Sequence, residues 1–258
     1  MGNWLPGRQA WLFSLVTFAA AALALFIAFE TGLERPYWAA TTVYITAQGS
    51  AGALRAKALW RLGGTLAGAA VAVLAVPNLV DAPPLLVLAF ACWVGACVTA
   101  SLLDPTPRSY GFILAGYTAA IIGFPSVEAP EAIFETAVLR VQEIGLGIAC
   151  AWALHAILLP SPAAPQLLRR LEAWTADLAR LAANALVGDT ASLAEDRRRL
   201  ARDGTALDAL FQQARYEDAS RAALRWLPSL RDQARRLPVL ATSAGDRVAG
   251  LRTTDPAA

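Results

Sequence analysis

The sequence predicts an all-α, polytopic membrane protein: a six-helix transmembrane bundle followed by a cytoplasmic helical domain. Three observations carry this reading. Of 258 residues, 57% are hydrophobic and only 16% charged, where soluble domains carry about 25% charged residues. The charge is unevenly placed: residues 1–160 hold seven Lys+Arg and eight Asp+Glu, and residues 161–258 hold fifteen and twelve. The uncharged runs of the first part recur at the length of about 20 residues that a helix needs to cross hydrocarbon. The boundary falls at "LLPSPAAP", whose three prolines stop a helix. This gives a transmembrane domain, residues 1–160, and a cytoplasmic α-helical domain, residues 161–258.

The first run, Ala10–Phe29, has no charge. It is too long for the core of a secretory signal and lacks a convincing small-x-small cleavage site before its acidic flank, so it reads as a membrane helix. Pro36–Leu54, Leu62–Val80, Ala82–Leu103 and Ser109–Val127 follow, and Arg140–Leu159 carries charge only in its first turn. Lipid offers backbone groups no hydrogen bonds, so each run is expected to be helical. With a cytoplasmic N-terminus, the inner loops hold Arg8, then Arg55, Lys57 and Arg61, then Arg108, then Arg169 and Arg170; the outer side holds Arg35 and Arg140. That asymmetry fits the positive-inside rule and places the basic run Arg55–Arg61 in an inner loop. After six crossings the tail is cytoplasmic.

In the tail, Leu167, Leu171, Trp174, Leu178, Leu181 and Ala185 alternate spacings of four and three, a narrow apolar seam. "SLAE", Ser192 to Glu195, fits a capping box opening a second helix, on which Leu193, Leu200, Leu207, Leu210 and Phe211 mark the buried face. A third helix is expected from about Asp218, with Leu224, Leu227 and Leu230 on it and Pro228 kinking or ending it. The basic cluster Arg197–Arg199 reads as a solvated face.

Polar residues inside the apolar runs are the candidate functional groups. Tyr37, Thr41, Tyr44 and Gln48 fall at i, i+4, i+7 and i+11, one helical face. Such a stripe faces another helix or a water-filled path. Tyr110, Tyr117 and Thr118 form a shorter stripe in the fifth run. Arg140 and Glu143, three apart, can pair on one face, with Gly147 and Ala151 continuing it. Two readings stay open for them: an interfacial salt bridge, or an anion-attracting Arg140 with Glu143 as counter-ion or proton-exchanging carboxyl. Gly64 and Gly68 form a GxxxG pair for close helix packing.

His155, the single histidine, reads as a packed residue. Cys92, Cys97 and Cys150 lie in apolar runs and read as small hydrophobes, with no metal-ligand spacing. No nucleophile triad, P-loop or dinucleotide fingerprint is present, so neither an enzyme nor a cofactor is expected. A net charge of +2 is too small to point to nucleic acid.

"RPYWAATTVYITAQGSAG" with "KALWRLGGTLAG", then "RSYGFILAGYTAAIIGFP", then "AVLRVQEIGLGIACAWALHAILLP" resemble, in order and spacing, the signatures of the fusaric acid resistance and aromatic acid exporter family. The tail segments "RRLEAWTADLARLAANAL" and "LDALFQQARYE" are similar to its cytoplasmic region. The resemblance implies an inner-membrane exporter of aromatic carboxylic acids, in some relatives working with a periplasmic adaptor and an outer-membrane channel. Plant aluminium-activated malate channels look like distant relatives with the same plan. Family members commonly carry two membrane blocks, and this chain carries one. A homodimer of halves, a split partner or a truncated product is therefore expected.

Three functions follow as expectations. One is proton-driven efflux of small organic anions, since no ATP-binding motif is present. The others are passive anion conduction through the same path, and a non-transporting membrane half. The expected partners are membrane lipid, a small organic anion, and a second copy or a second half-transporter.

Overall fold

The computed structural model of the protein describes residues 7–159, 163–187, 190–214 and 216, and between 229 and 250 only 229, 232–233, 236–237, 239–241, 243–247 and 250. Among these residues no strand occurs. The chain divides into two compact units, Met1–Ser161 and Pro162–Ala258.

The described residues of the first unit form six α-helices: α1 (Arg8–Glu30), α2 (Tyr37–Thr46), α3 (Ala51–Leu79), α4 (Pro83–Leu103), α5 (Arg108–Gly123) and α6 (Ile133–Leu158). Short 3₁₀ turns at Pro125–Val127 and Pro130–Ala132 join the last two. Among the described residues, five segments are long and apolar enough to cross a membrane: Arg8–Glu30, Ala51–Leu79, Pro83–Leu103, Arg108–Val127 and Pro130–Leu158. The run Pro36–Leu54, expected as a single span, is not one helix. Its helical part, α2, has ten residues. Ala47 leaves the helical region at ψ 126°. Ser50, at φ −134° and ψ 150°, then caps α3 by accepting the Ala53 amide. An Ncap serine after glycine is a helix-start signal that a count of uncharged residues does not see.

The next helix therefore begins at Ala51 and has 29 residues, eleven positions ahead of the expected start at Leu62. Arg55, Lys57 and Arg61 consequently lie on a helix and not in a loop. Gly32, at φ +69°, ends α1. The amides of Gly32 and Leu33 return to the carbonyls of Phe29 and Ala28, the paired bonds of a Schellman cap.

Two cores organise this unit. Ala69, Ala72, Val76, Leu86, Phe90, Ala119, Ile122, Ile133 and Ala137 join α3, α4, α5 and the start of α6. Ala20, Ala21, Ala24, Ala28, Ala39, Val43, Cys150 and Ala151 join α1, α2 and α6. The second core is almost all alanine, which suits membrane helices that gain from close backbone approach. The closest approach between α3 and α5 passes over Gly64 and Gly68. A Cβ on Gly68 would come 2.6 Å from the Ala115 carbonyl oxygen, and one on Gly64 would press on the Gly111 carbonyl. The exterior is apolar: Trp11, Leu15, Phe18 and Phe26 on α1 are each more than 60% exposed, and Leu102 is 82% exposed. Such a surface suits lipid and is larger than an ordinary soluble patch.

The second unit pairs α7 (Ala163–Val187) with α8 (Thr190–Ala214). Leu167, Trp174 and Leu181 bury against Leu200, Leu207 and Phe211, with Leu171, Leu178 and Leu210 beside them. Asp177 is buried and held from both helices: Arg180 pairs with it within α7, and Arg199 Nε reaches its Oδ2 at 3.1 Å from α8. Arg199 is thus a cross-link as well as a solvent-facing residue. Helix α8 is already formed at Thr190, so Ser192 lies in its first turn and not before it. The side chains of Ala185, Ser192, Leu193 and Arg197, and the expected third helix from Asp218 with Leu224, Leu227, Pro228 and Leu230, lie outside the described residues.

Candidate functional site

The buried face of α6 carries Ile133, Ala137, Arg140, Glu143, Ile144, Gly147, Cys150, Ala151 and His155, a helical repeat of threes and fours. Polar groups enter this face because α2 lies against it. Gly147 admits that approach: a Cβ there would press on the Ala39 carbonyl and stand 2.7 Å from Thr42 Cβ. The room beside Gly147 is therefore filled by α2.

Arg140 is 5% exposed, and its guanidinium carbon lies 3.3 Å above the centroid of the Trp38 ring. A guanidinium stacked on indole keeps its N–H edges free for hydrogen bonding in its own plane. Among the described residues no acceptor takes those donors: Arg140 Nε is buried without a partner, and so is Trp38 Nε1. Glu143, 1% exposed, does not close an ion pair with it. Glu143 Oε1 accepts the backbone amide of Arg35 at 2.9 Å instead. Arg140 and Glu143 share one small pocket with Glu34, Arg35, Thr136 and Leu139. Electrostatically, Arg140 feels Glu143 and, more distantly, Arg61, Tyr37 and Tyr117.

Arg61 is the residue the sequence did not flag. It sits on α3 and is 2% exposed. Its Nη1 donates to Tyr110 Oη at 2.7 Å and its Nη2 to Thr42 Oγ1 at 3.2 Å, tying α3 to α5 and α2. Arg61 Nε and Thr65 Oγ1, one turn apart, are buried without partners among the described residues. Lys57, one turn earlier, places its ammonium 5.6 Å from the centroid of Tyr110. A signal for Arg61 did exist. Lys57, Arg61, Gly64, Thr65 and Gly68 share a face once the helix start is read at Ser50.

The other expected residues divide. Tyr37, Thr41 and Tyr44 share a face, but it points away from the unit: Tyr37 and Tyr44 are 53% and 54% exposed, and the Thr41 hydroxyl returns to the Tyr37 carbonyl. Gln48 lies past the end of α2 and so off that helical stripe. The inward hydroxyls of α2 are Thr42 and Thr46, both fully buried. Tyr117 is 37% exposed, while Thr118 is buried with its Cβ against Gly68. His155 is packed: its Nδ1 is 2.8 Å from the Ala151 carbonyl, its Nε2 3.2 Å from Thr17 Oγ1, and Phe13 meets it edge-on. Cys92, Cys97 and Cys150 are free thiols. No metal-binding group of His, Cys, Asp and Glu occurs among the described residues.

Chemically, the arrangement offers a planar, charged, unclaimed donor on an aromatic platform at the wall of a pocket. Carboxylates match that fork bidentately. Comparison with known proteins gives a consistent picture. Residues 10–258 match the fusaric acid resistance protein family. Over 164 residues the chain is 36% identical to the transporter YdhK of Escherichia coli (strain K12), covering 63% of this chain and 24% of that protein. It is 40% identical over 140 residues to the p-hydroxybenzoic acid efflux pump subunit AaeB of Musicola paradisiaca (strain Ech703), covering 51% and 22%. The AaeB subunit of Enterobacter cloacae subsp. cloacae is 34% identical over 182 residues, covering 67% and 28%. The chain thus spans about a quarter of the length of these curated relatives.

Proposed function

Because the chain belongs to the fusaric acid resistance protein family, we propose that it is a membrane-transport unit exporting small aromatic carboxylic acids, driven by the proton gradient. The observation that carries this reading is Arg140. A buried guanidinium with no protein acceptor is costly in a membrane protein. A transient carboxylate supplies the missing partner, and the Trp38 ring beside it gives an aromatic acid a surface to stack on. The relatives named for p-hydroxybenzoic acid efflux support that substrate class. Glu143, at the same pocket and engaged by a backbone amide, is our candidate for the proton-exchanging carboxyl.

We read residues 1–160 as the membrane domain and 161–258 as a cytoplasmic helical domain, in the bacterial inner membrane with both termini inside. The second crossing in this reading is composite. Helix α2 covers about 15 Å at 1.5 Å per residue, and the non-helical Ala47–Ser50 completes the passage to the start of α3. The charge asymmetry survives the revised helix bounds, since Arg55 and Lys57 still lie in the first two turns of α3. Tyr37 and Tyr44 need cover by protein or water, because lipid satisfies no hydroxyl. A second copy of this chain, or a second membrane block, would provide it and would share the path with Tyr117; a periplasmic adaptor is the expected further partner.

The test is flux of labelled p-hydroxybenzoate in proteoliposomes under an imposed pH gradient. Uphill movement is expected. Purely downhill movement identifies a passive channel, and no movement identifies a half that needs a second block. Arg140→Gln is expected to lower flux about tenfold to a hundredfold, the worth of a hydrogen bond to a charged group. Flux at the wild-type level would remove Arg140 from the path.

A further inference from the structure

Arg61 presents the same problem as Arg140, one layer on. Its charge is buried, its partners are two neutral hydroxyls, and among the described residues no carboxylate lies within ion-pair distance. Its Nε and the nearby Thr65 hydroxyl are both unclaimed. Tyr110 and Thr42 accept from Arg61 through their oxygens, which leaves both hydroxyl protons free to donate to an anion.

The spacing of the two guanidinium groups is set by α2. Arg140 stacks on Trp38 and Arg61 bonds Thr42, and these residues are four apart on one helix. Their contact points are therefore about 6 Å apart along its axis. The like charge of Arg61 is felt at Arg140. A protein can hold such a pair when a mobile anion visits it.

We propose that Arg61 is a second carboxylate station, one turn further along α2 than Arg140, so that an organic anion passes between two guanidinium groups. This rests on the reading of Arg140 as a carboxylate site. Thr42 and Tyr110 position the Arg61 fork, and Lys57 adds positive charge on the approach.

The test is equilibrium dialysis of radiolabelled benzoate against the whole chain in nanodiscs at low ionic strength. Three proteins are compared: wild type, Arg140→Gln, and Arg140→Gln/Arg61→Met. Methionine removes the buried charge at similar volume, an exchange that proteins commonly tolerate. Saturable binding is expected for the wild type. It should persist about tenfold or more weaker in Arg140→Gln, the order of one lost charge-assisted contact, and fall to background in the double variant. Background binding in Arg140→Gln alone, or equal binding in the single and double variants, overturns the second station and leaves Arg140 standing. Background binding in the wild type overturns the Arg140 reading as well. Should Arg61→Met not fold, Arg61→Lys in the Arg140→Gln background decides. Lysine keeps the charge but loses the fork, so weakened binding supports the station and unchanged binding overturns it.

Discussion

In the proposed site Trp38 and Glu143 would do different work beside Arg140, and the difference can be measured. Trp38→Leu removes the platform and an unclaimed indole donor. It is expected to raise the KM for p-hydroxybenzoate severalfold in the liposome assay, with little change in protein yield. Glu143→Gln keeps an oxygen for the Arg35 amide but loses the exchangeable proton. Uphill flux should fall in that variant while downhill flux persists; equal loss of both would give Glu143 a structural role alone. Outside the membrane, Asp104 offers a pH-dependent probe. Its Oδ1 accepts the Thr106 amide at 2.8 Å. Bonds from Thr106, and then the nearby Arg108 charge, hold its carboxyl below the usual aspartate range. The sign follows: the turn is favoured while Asp104 is ionised and loses that support as pH falls through the lowered value. The Thr106 amide NMR shift should titrate with an inflection below the usual aspartate range. At this scale, the shared face of Arg140 and Glu143 on α6 was legible in the sequence; the polar stripe expected on α2 was the outward one, and Thr42, which meets α6, was not singled out. The contact of Trp38 was not legible, because only α6 in place shows the guanidinium that lies over its ring.

Helices α1, α4 and α5 could be read from runs without charge, since their ends coincide with charged or proline-rich turns; α6 begins at Ile133, seven residues ahead of the expected Arg140, and carries Glu135, Arg140 and Glu143 within it. The α2–α3 region could not be read that way. Ala47 and Ser50 are uncharged and so invisible to that count, yet the first ends one helix and the second caps the next. Arg61 was excluded from the bilayer by the same count, although a charge enclosed by α2, α3 and α5 never meets lipid. Two substitutions probe this level. Ser50→Ala removes the cap of α3 and is expected to cost about 0.5–2 kcal/mol, seen as a lower thermal midpoint in detergent. Gly68→Leu has no room beside the Ala115 carbonyl. It should force α5 away and destabilise by more than about 3 kcal/mol, beyond the usual range for a point mutation; a midpoint equal to wild type would contradict the close packing.

Across the whole molecule, the division into an apolar unit and a charged one follows directly from composition, because lipid and water select different surfaces. What composition does not convey is how the charged unit is stapled. The apolar seam from Leu167 to Leu181 marked the buried face of α7, but the Asp177 cross-link needs both helices in place before it can be seen. Leu181→Ala, at a site 1% exposed, is expected to cost about 2–5 kcal/mol. The loss should appear in melting of the second unit. Benzoate binding by the first unit should be untouched if the two units are energetically separate, and a parallel loss would show coupling between them.

The short passage from Ala47 to Ser50 has one further bearing on how this protein meets its bilayer. Among the described residues the amides of Gln48 and Gly49 have no acceptor. Hydrocarbon cannot solvate them, and such backbone persists only where protein or water takes over. Where no second chain covers them in the bilayer, solvent reaches this level as a wet notch in the membrane's profile. Deuterium should label Gln48 and Gly49 in the reconstituted protein long before it reaches Val43.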